Sequence, residues 1–422
     1  MKKYLSLILA ALMVLALLTG CANTPAESAD PEPSSTATIA EPPESAEPVE
    51  PAEPVEIVIW HENNETIAGT IQEQLSDIPG VTVKLERKEQ MSDALKMVGN
   101  DPEAAPDMYL FAHDKIGVYA AMGILAPITE FVSADAFADI MPMAVDATTY
   151  KGEQYSIPIY FETLLFMYNK ALMDAPPATT DELLELMKSG TTADSYVFVE
   201  QHSTSYNSAP WIQGFGGYIL NSDAAPGLGT QEFQDALAYH KQFIQYQPSD
   251  GEYNTVTTLF TEGKAASTIG GPWLVPDLNA AGLDLGISAM PTLPNGEPLK
   301  PFSGVQGIQV LKHAAADKPD AVKAVLEGLL RPEVGIALAN IANSAPVNLK
   351  AYDDPDVAAN EMIMVMRDIA ANVVPMPNIP EMDVMWTVTD NLLAAVNKNG
   401  EDIKTTCEAA QAEALEQIAA MQ

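Results

Sequence analysis

Three short apolar runs, each followed by a helical pattern, constrain this chain most. "VEIVIWH" (Val55–His61) is β-rich, and "ENNETIAGTIQEQLSDIPG" after it has apolar residues at helical spacing. "VTVKLER" then reads as a second strand, "MSDALKMVGN" as a helix and "PDMYLFAHD" as a third strand. Strand and helix in alternation predict an α/β fold with a mainly parallel sheet. In such sheets ligands bind beyond the carboxyl ends of strands. Two polar clusters stand at such ends, "HENNE" (His61–Glu65) and "AHDK" (Ala112–Lys115).

The rest of the chain continues in the same style. "YSIPIYF" is extended, and Pro158 within it predicts an edge or crossing segment rather than a central strand. "DELLELMKS" is a helix with acidic residues in its first turn, "YVFVEQ" a strand, and "TQEFQDALAYHKQFIQY" an amphipathic helix. The C-terminal part, from "DKPDAVKAVLEGLL" to "EDIKTTCEAAQAEALEQIAAMQ", is helical. No internal repeat at a fixed period is present in the 422 residues.

The first fifth of the chain is different. "MKKYLSLILAALMVLALLTGC" has Lys2 and Lys3, then an apolar run from Leu5 to Leu18. That is a secretory leader, shorter than the roughly 20 residues a bilayer core needs. Leu18-Thr19-Gly20-Cys21 resembles the bacterial lipobox, in which the cysteine is acylated on sulfur and becomes the mature N-terminus. Residues 22–55 then read as an acidic, proline-rich tether that cannot bury a core. At polyproline spacing it reaches up to about 100 Å. Cys407 is the only other cysteine, so no disulfide framework exists and its thiol is expected to be buried and inert.

Charge narrows the partners. Lys and Arg total 21 against 58 Asp and Glu, a net charge of −37. The leader carries +2 and the tether −8, which leaves −31 on the body. Such a field repels nucleic acid and anionic lipid, and it favours neutral or cationic ligands. The five histidines share no metal-site spacing, there is no G-x-S-x-G elbow, and neither "GGYIL" nor "GGPW" is a phosphate loop. No metal or cofactor is therefore expected. A pair of carboxylates for glycoside hydrolysis could always be drawn from 58, so counting them indicates nothing.

The four tryptophans are more informative. An indole offers a flat apolar face and one donor, which suits the C–H face of a pyranose ring. Trp60, inside a strand, reads as core. Trp273 follows Gly270, Gly271 and Pro272 in "FTEGKAASTIGGPW", where a turn aims it toward a surface or cleft. For Trp211 in "APWIQGFGGY" and Trp386 after "PMPNIPEMDVM", core and cleft both remain open.

In combination, "EIVIWH", "LFAHDKIGVYAAMGILAPI", "YSIPIYFETLLFMYNKALM", "FTEGKAASTIGGPW", "PLKPFSGVQGIQV" and "PMPNIPEMDVMW" make the chain from about Glu56 onward resemble the maltose/maltodextrin-binding proteins of ATP-driven sugar importers. The resemblance implies a monomer of two α/β lobes, 56–160 with 305–355 and 161–304 with 356–422, crossed near Tyr160, Gly304 and Pro355. It implies an oligosaccharide between the lobes, a membrane permease as partner, a lipid anchor on the outer face of a Gram-positive cell, and no bond chemistry. Residue by residue it points to Asn64 and Glu65 at the first strand end, Asp114 as a hydroxyl-binding carboxylate and Glu162 beside the hinge. It points further to Tyr206, to a methionine at Met376, and to Trp273 and Trp386 as stacking rings. Phe111 stands for the family's tryptophan and Lys115 for its arginine; Thr387 and Asp390 replace a tyrosine and an arginine. These departures bear on which sugar is read, with an α-glucan favoured. The same fold serving another oligosaccharide, or relaying binding to a sensor, and a secreted glycoside hydrolase are the alternatives.

Overall fold

The computed structural model describes residues 53–421. The leader, Cys21 and the tether up to residue 52 lie outside the described residues. The first strand, Val55–His61, takes in the last residue of the tether span. It pairs in parallel with Val81–Arg87 on one side and Met108–Ala112 on the other. Helices Glu65–Gln74 and Met91–Val98 connect these three strands, as the alternation predicts.

Two sheets organise the chain. The larger runs Ala345–Pro346, Ser156–Thr163, Phe302–Leu311, Met108–Ala112, Val55–His61, Val81–Arg87, with the short strands Leu125–Ala126 and Val374–Pro375 also on Phe302–Leu311. The smaller runs Leu285–Ser288, Leu165–Asn169, Ala265–Gly270, Tyr196–Val199. Both are mixed rather than mainly parallel. Phe302–Leu311 is antiparallel to Met108–Ala112 and to Ser156–Thr163, and Leu165–Asn169 is antiparallel to both of its neighbours. Strand–helix–strand units dictate parallel pairing only between the strands they join. Phe302–Leu311 arrives from far along the chain and is free of that constraint.

The same strands carry the chain between sheets. Ser156–Thr163 belongs to the larger sheet and Leu165–Asn169 to the smaller, with Leu164 alone between them. The chain rejoins the larger sheet at Phe302. Ser156–Thr163 is thus a crossing segment, as Pro158 indicates, but not an edge: it is paired on both sides. Pro158 faces Gly307 where the ladder shifts register between Gln306 and Gly307. A proline is tolerated at such an irregularity because the N–H it lacks has no regular ladder partner there.

Separate cores support the sheets. Ile57, Ile59, Met108, Leu110, Ile308 and Val310 of the larger sheet pack on Val322, Val325 and Leu326. Phe166 and Phe198 of the smaller sheet stack at 6.1 Å over Leu183, Met187, Trp211 and Phe243. Trp60 is core, as its strand position predicts, and lies with Met91, Leu95 and Tyr109. Cys407 is free and buried among the C-terminal helices, and burial pushes its thiol up to about 12, which fits an inert sulfur. Among the described residues no helix is long and apolar enough to cross a membrane, and no group of His, Cys, Asp and Glu is arranged to hold a metal ion.

Candidate functional site

His61–Glu65 and Ala112–Lys115 come together because their strands are parallel neighbours, with His61 opposite Leu110. The Tyr160 hydroxyl donates to Asn63 Oδ1 at 3.2 Å and ties the crossing strand to the first of these loops. Asn64 caps the helix that follows, its Oδ1 accepting from the Ile67 N–H at 2.9 Å, and both Asn64 and Glu65 are exposed. Phe111 is half-buried against the Trp60 cluster.

Four aromatic rings form one row. Trp273 lies 6.3 Å from Tyr206, Tyr206 stacks on Phe302 at 6.4 Å and 25°, and Phe302 meets Trp386 edge-on at 5.8 Å and 73°. Tyr206, Trp273 and Trp386 are half-buried, so their outer surfaces remain open. Trp386 packs on the C-terminal core with part of its ring uncovered. Trp211 is core: it is fully buried and donates its indole N–H to Glu200 at 2.9 Å. Phe302 was not singled out by sequence, although its strand carries Phe302, Gly304 and Gln306 at period two, on one face.

The glycines before Trp273 serve close approach, as expected, and not an unusual backbone angle. Gly271 has an ordinary φ of −97°, and Trp273 is the middle residue of the short 3-10 turn Pro272–Leu274. What matters is space. A Cβ on Gly271 would lie 2.1 Å from the Trp273 ring, and one on Gly270 would lie 2.6 Å from Leu274. The indole folds back over a backbone that has room for it only as glycine.

Carboxyls and one buried imidazole form the polar side of the site. Burial pushes the Asp114 carboxyl up, while Lys115, His113 and the Trp386 indole draw it down. Burial also pushes Glu162 up, to about 7, against the amide of Gln306. Tyr206 is itself raised by burial and then by the charges of Glu162 and Asp114. His113 is fully buried. Its Nδ1 accepts from the Val305 N–H at 3.0 Å, so its Nε2 carries the proton and donates to the Met376 carbonyl at 2.8 Å. Met376 is thereby pinned beside the row, and with Phe302, Tyr218 and Asn378 it lines a pocket of 380 Å³.

Lys115 has intramolecular partners. Its ammonium lies 2.6 Å from Asp383 and 3.6 Å from Asp114, and Asp383 also accepts from Lys96 at 2.7 Å. The N-terminal turn of helix Met382–Asn397, which carries Trp386, is thus tied to the Asp114 loop. Asp383→Asn is expected to weaken both ion pairs and to turn Lys115 onto Asp114. Stability should fall by about 1 kcal/mol. Thermal melts at low and high salt check this; a melt as salt-sensitive as wild type would contradict it. Asp390, further along the same helix, accepts from the Ser205 N–H and hydroxyl, each at 2.6 Å. It therefore caps the helix that presents Tyr206, a role that no local pattern reveals. Thr387 is exposed.

Residues 71–365 match the bacterial extracellular solute-binding protein family. This chain belongs to that family. It is 30% identical over 341 residues to the maltotriose-binding protein of Pyrococcus abyssi, covering 78% of this chain and 75% of that one. It is 31% identical over 331 residues to the maltodextrin-binding protein MdxE of Bacillus subtilis, covering 74% and 78%. The fold is that of a cyclo/maltodextrin-binding protein solved with maltotetraose, with a TM-score of 0.78 at 24% identity, 89% of this chain and all of that one. The two-lobed α/β class that the resemblance implies is therefore the class of this family member. The chain is an extracellular solute-binding protein.

Proposed function

We propose that this solute-binding protein captures a neutral oligosaccharide, specifically a maltodextrin, between two lobes and delivers it to the permease of an ABC importer. The lobes are 56–160 with 305–355 and 161–304 with 356–422. The observation that carries this reading is the row Trp273–Tyr206–Phe302–Trp386 beside the Asp114 and Glu162 carboxyls. Flat rings favour the apolar faces of sugar rings, and carboxyls accept from their hydroxyls. A buried hydroxyl left unpaired costs roughly 1–3 kcal/mol, so the polar groups decide which sugar fits. Binding favours the closed arrangement of the lobes, and closure presents a composite surface to the permease. The protein acts as a monomer and makes or breaks no bond.

A thermal-shift screen over maltodextrins, cyclodextrins, galactans and xylans tests the ligand class. The largest shift is expected with maltodextrins, and a larger one with galactan or xylan fragments would reassign the sugar. Maltoheptaose incubated with the protein should remain intact; shorter products would make it a hydrolase.

The anchor rests on the lipobox. Cys21 carries the acyl chains and anchors the protein on the outer face of a Gram-positive membrane. Cys21→Ser should release the protein into the medium, and retention with the membrane fraction would refute the anchor.

A further inference from the structure

Gln306 stands on the same face of its strand as Phe302, and its neighbour across the ladder is Tyr160. Its Nε2 donates to Glu162 Oε2 at 3.1 Å. Its own Oε1 is buried and has no partner. Buried acceptors without donors are rare in native proteins and call for an explanation. Glu162 supplies one. With its carboxyl near 7, ionised and protonated forms coexist at neutral pH. Its charge acts on Tyr206 and Tyr160, which stay protonated; Asp114 acts on Tyr206 as well, and nothing cationic contributes to the Glu162 shift.

An ionised Glu162 needs a donor from Gln306, which Nε2 provides. A protonated Glu162 needs an acceptor, and a half-turn of the amide puts Oε1 where Nε2 stands. We propose that Gln306 is a positioning residue of the cleft: its amide turns with the protonation state of Glu162, so that one carboxyl oxygen always remains an acceptor for a ligand hydroxyl. This rests on the sugar-binding reading, since it deepens the role of Glu162 in that site. Sugar recognition is then nearly independent of pH across the range in which Glu162 titrates.

Gln306→Met keeps the length of the side chain and removes both donor and acceptor. In the unliganded protein, the Glu162 carboxyl followed by carbon-13 NMR should titrate at a higher pH in Gln306→Met than in wild type, because its one hydrogen-bond donor is gone. With maltotriose, wild-type affinity should change by less than about threefold between roughly pH 5.5 and 8.5, the interval over which a carboxyl near 7 loses its proton. In Gln306→Met the protonated carboxyl is free to aim its O–H into the cleft, and affinity should fall about tenfold at the acid end. Gln306→Ala provides the same readouts if the methionine variant does not melt cooperatively. A variant with the wild-type midpoint and the wild-type affinity profile overturns the proposal. A wild-type chain that binds none of the screened sugars overturns the ligand reading alone, because the carboxyl titration requires no ligand.

Discussion

Trp273→Ala and Trp386→Ala should each weaken maltotriose binding by more than about tenfold, or 1.4 kcal/mol, while melting stays cooperative. An indole buries on the order of 150–250 Å² when fully covered, worth a few kcal/mol at about 25 cal/mol per Å². One face laid on a sugar ring therefore comfortably exceeds the tenfold level. Both rings are half-buried, so truncation removes less packing than it would in a core. Titration calorimetry decides the matter: unchanged affinity in both variants removes the aromatic row from the site. Trp211 is the internal contrast, since Trp211→Ala lies in a sealed core and should lower stability first.

The largest stability effect should come from Glu200, which is not among the proposed ligand contacts. Its carboxylate is almost fully buried and accepts from Trp211 at 2.9 Å, His240 at 2.7 Å and Gln247 at 3.0 Å. His240 in turn stacks on Trp211 at 4.5 Å. Glu200→Ala would strand three buried donors and is expected to cost about 3–5 kcal/mol. Glu200→Gln keeps the shape and should cost less. The pH dependence has a definite sign. Burial pushes the Glu200 carboxyl up, but His240 and the three donors together hold it below the ordinary glutamate value. A lowered carboxyl contributes stability that is complete above the unfolded value, about 4.3, and is lost as pH falls through the folded one. Chemical denaturation from neutral pH to below about 4 should therefore show a steeper acid loss in wild type than in Glu200→Gln. Parallel curves would mean that Glu200 is not ionised in the folded protein.

Much of the architecture was legible locally. Strand and helix alternation placed the first three strands and their connecting helices, and a strand position identified Trp60 as core. The motif resemblance named Trp273, Trp386, Tyr206, Asp114 and Glu162, which the fold brings into one region. It could not assign partners. Lys115 is known from the resemblance only as the counterpart of an arginine, yet it pairs with Asp383, 268 residues away. Asp390 reads as a site residue, yet it caps a helix that begins 185 residues earlier.

The amino-acid sequence by itself determined the α/β class, the core position of Trp60 and the turn that carries Trp273, because each depends on neighbours within a few positions. Tertiary structure alone decided that the sheets are mixed, that Phe302 joins the aromatic row, and that Gln306 meets Glu162. The physical reason is the strand Phe302–Leu311. Its Gln306 meets Glu162, 144 residues back in the chain, and hydrophobic periodicity reports which face a segment buries, not what it is buried against.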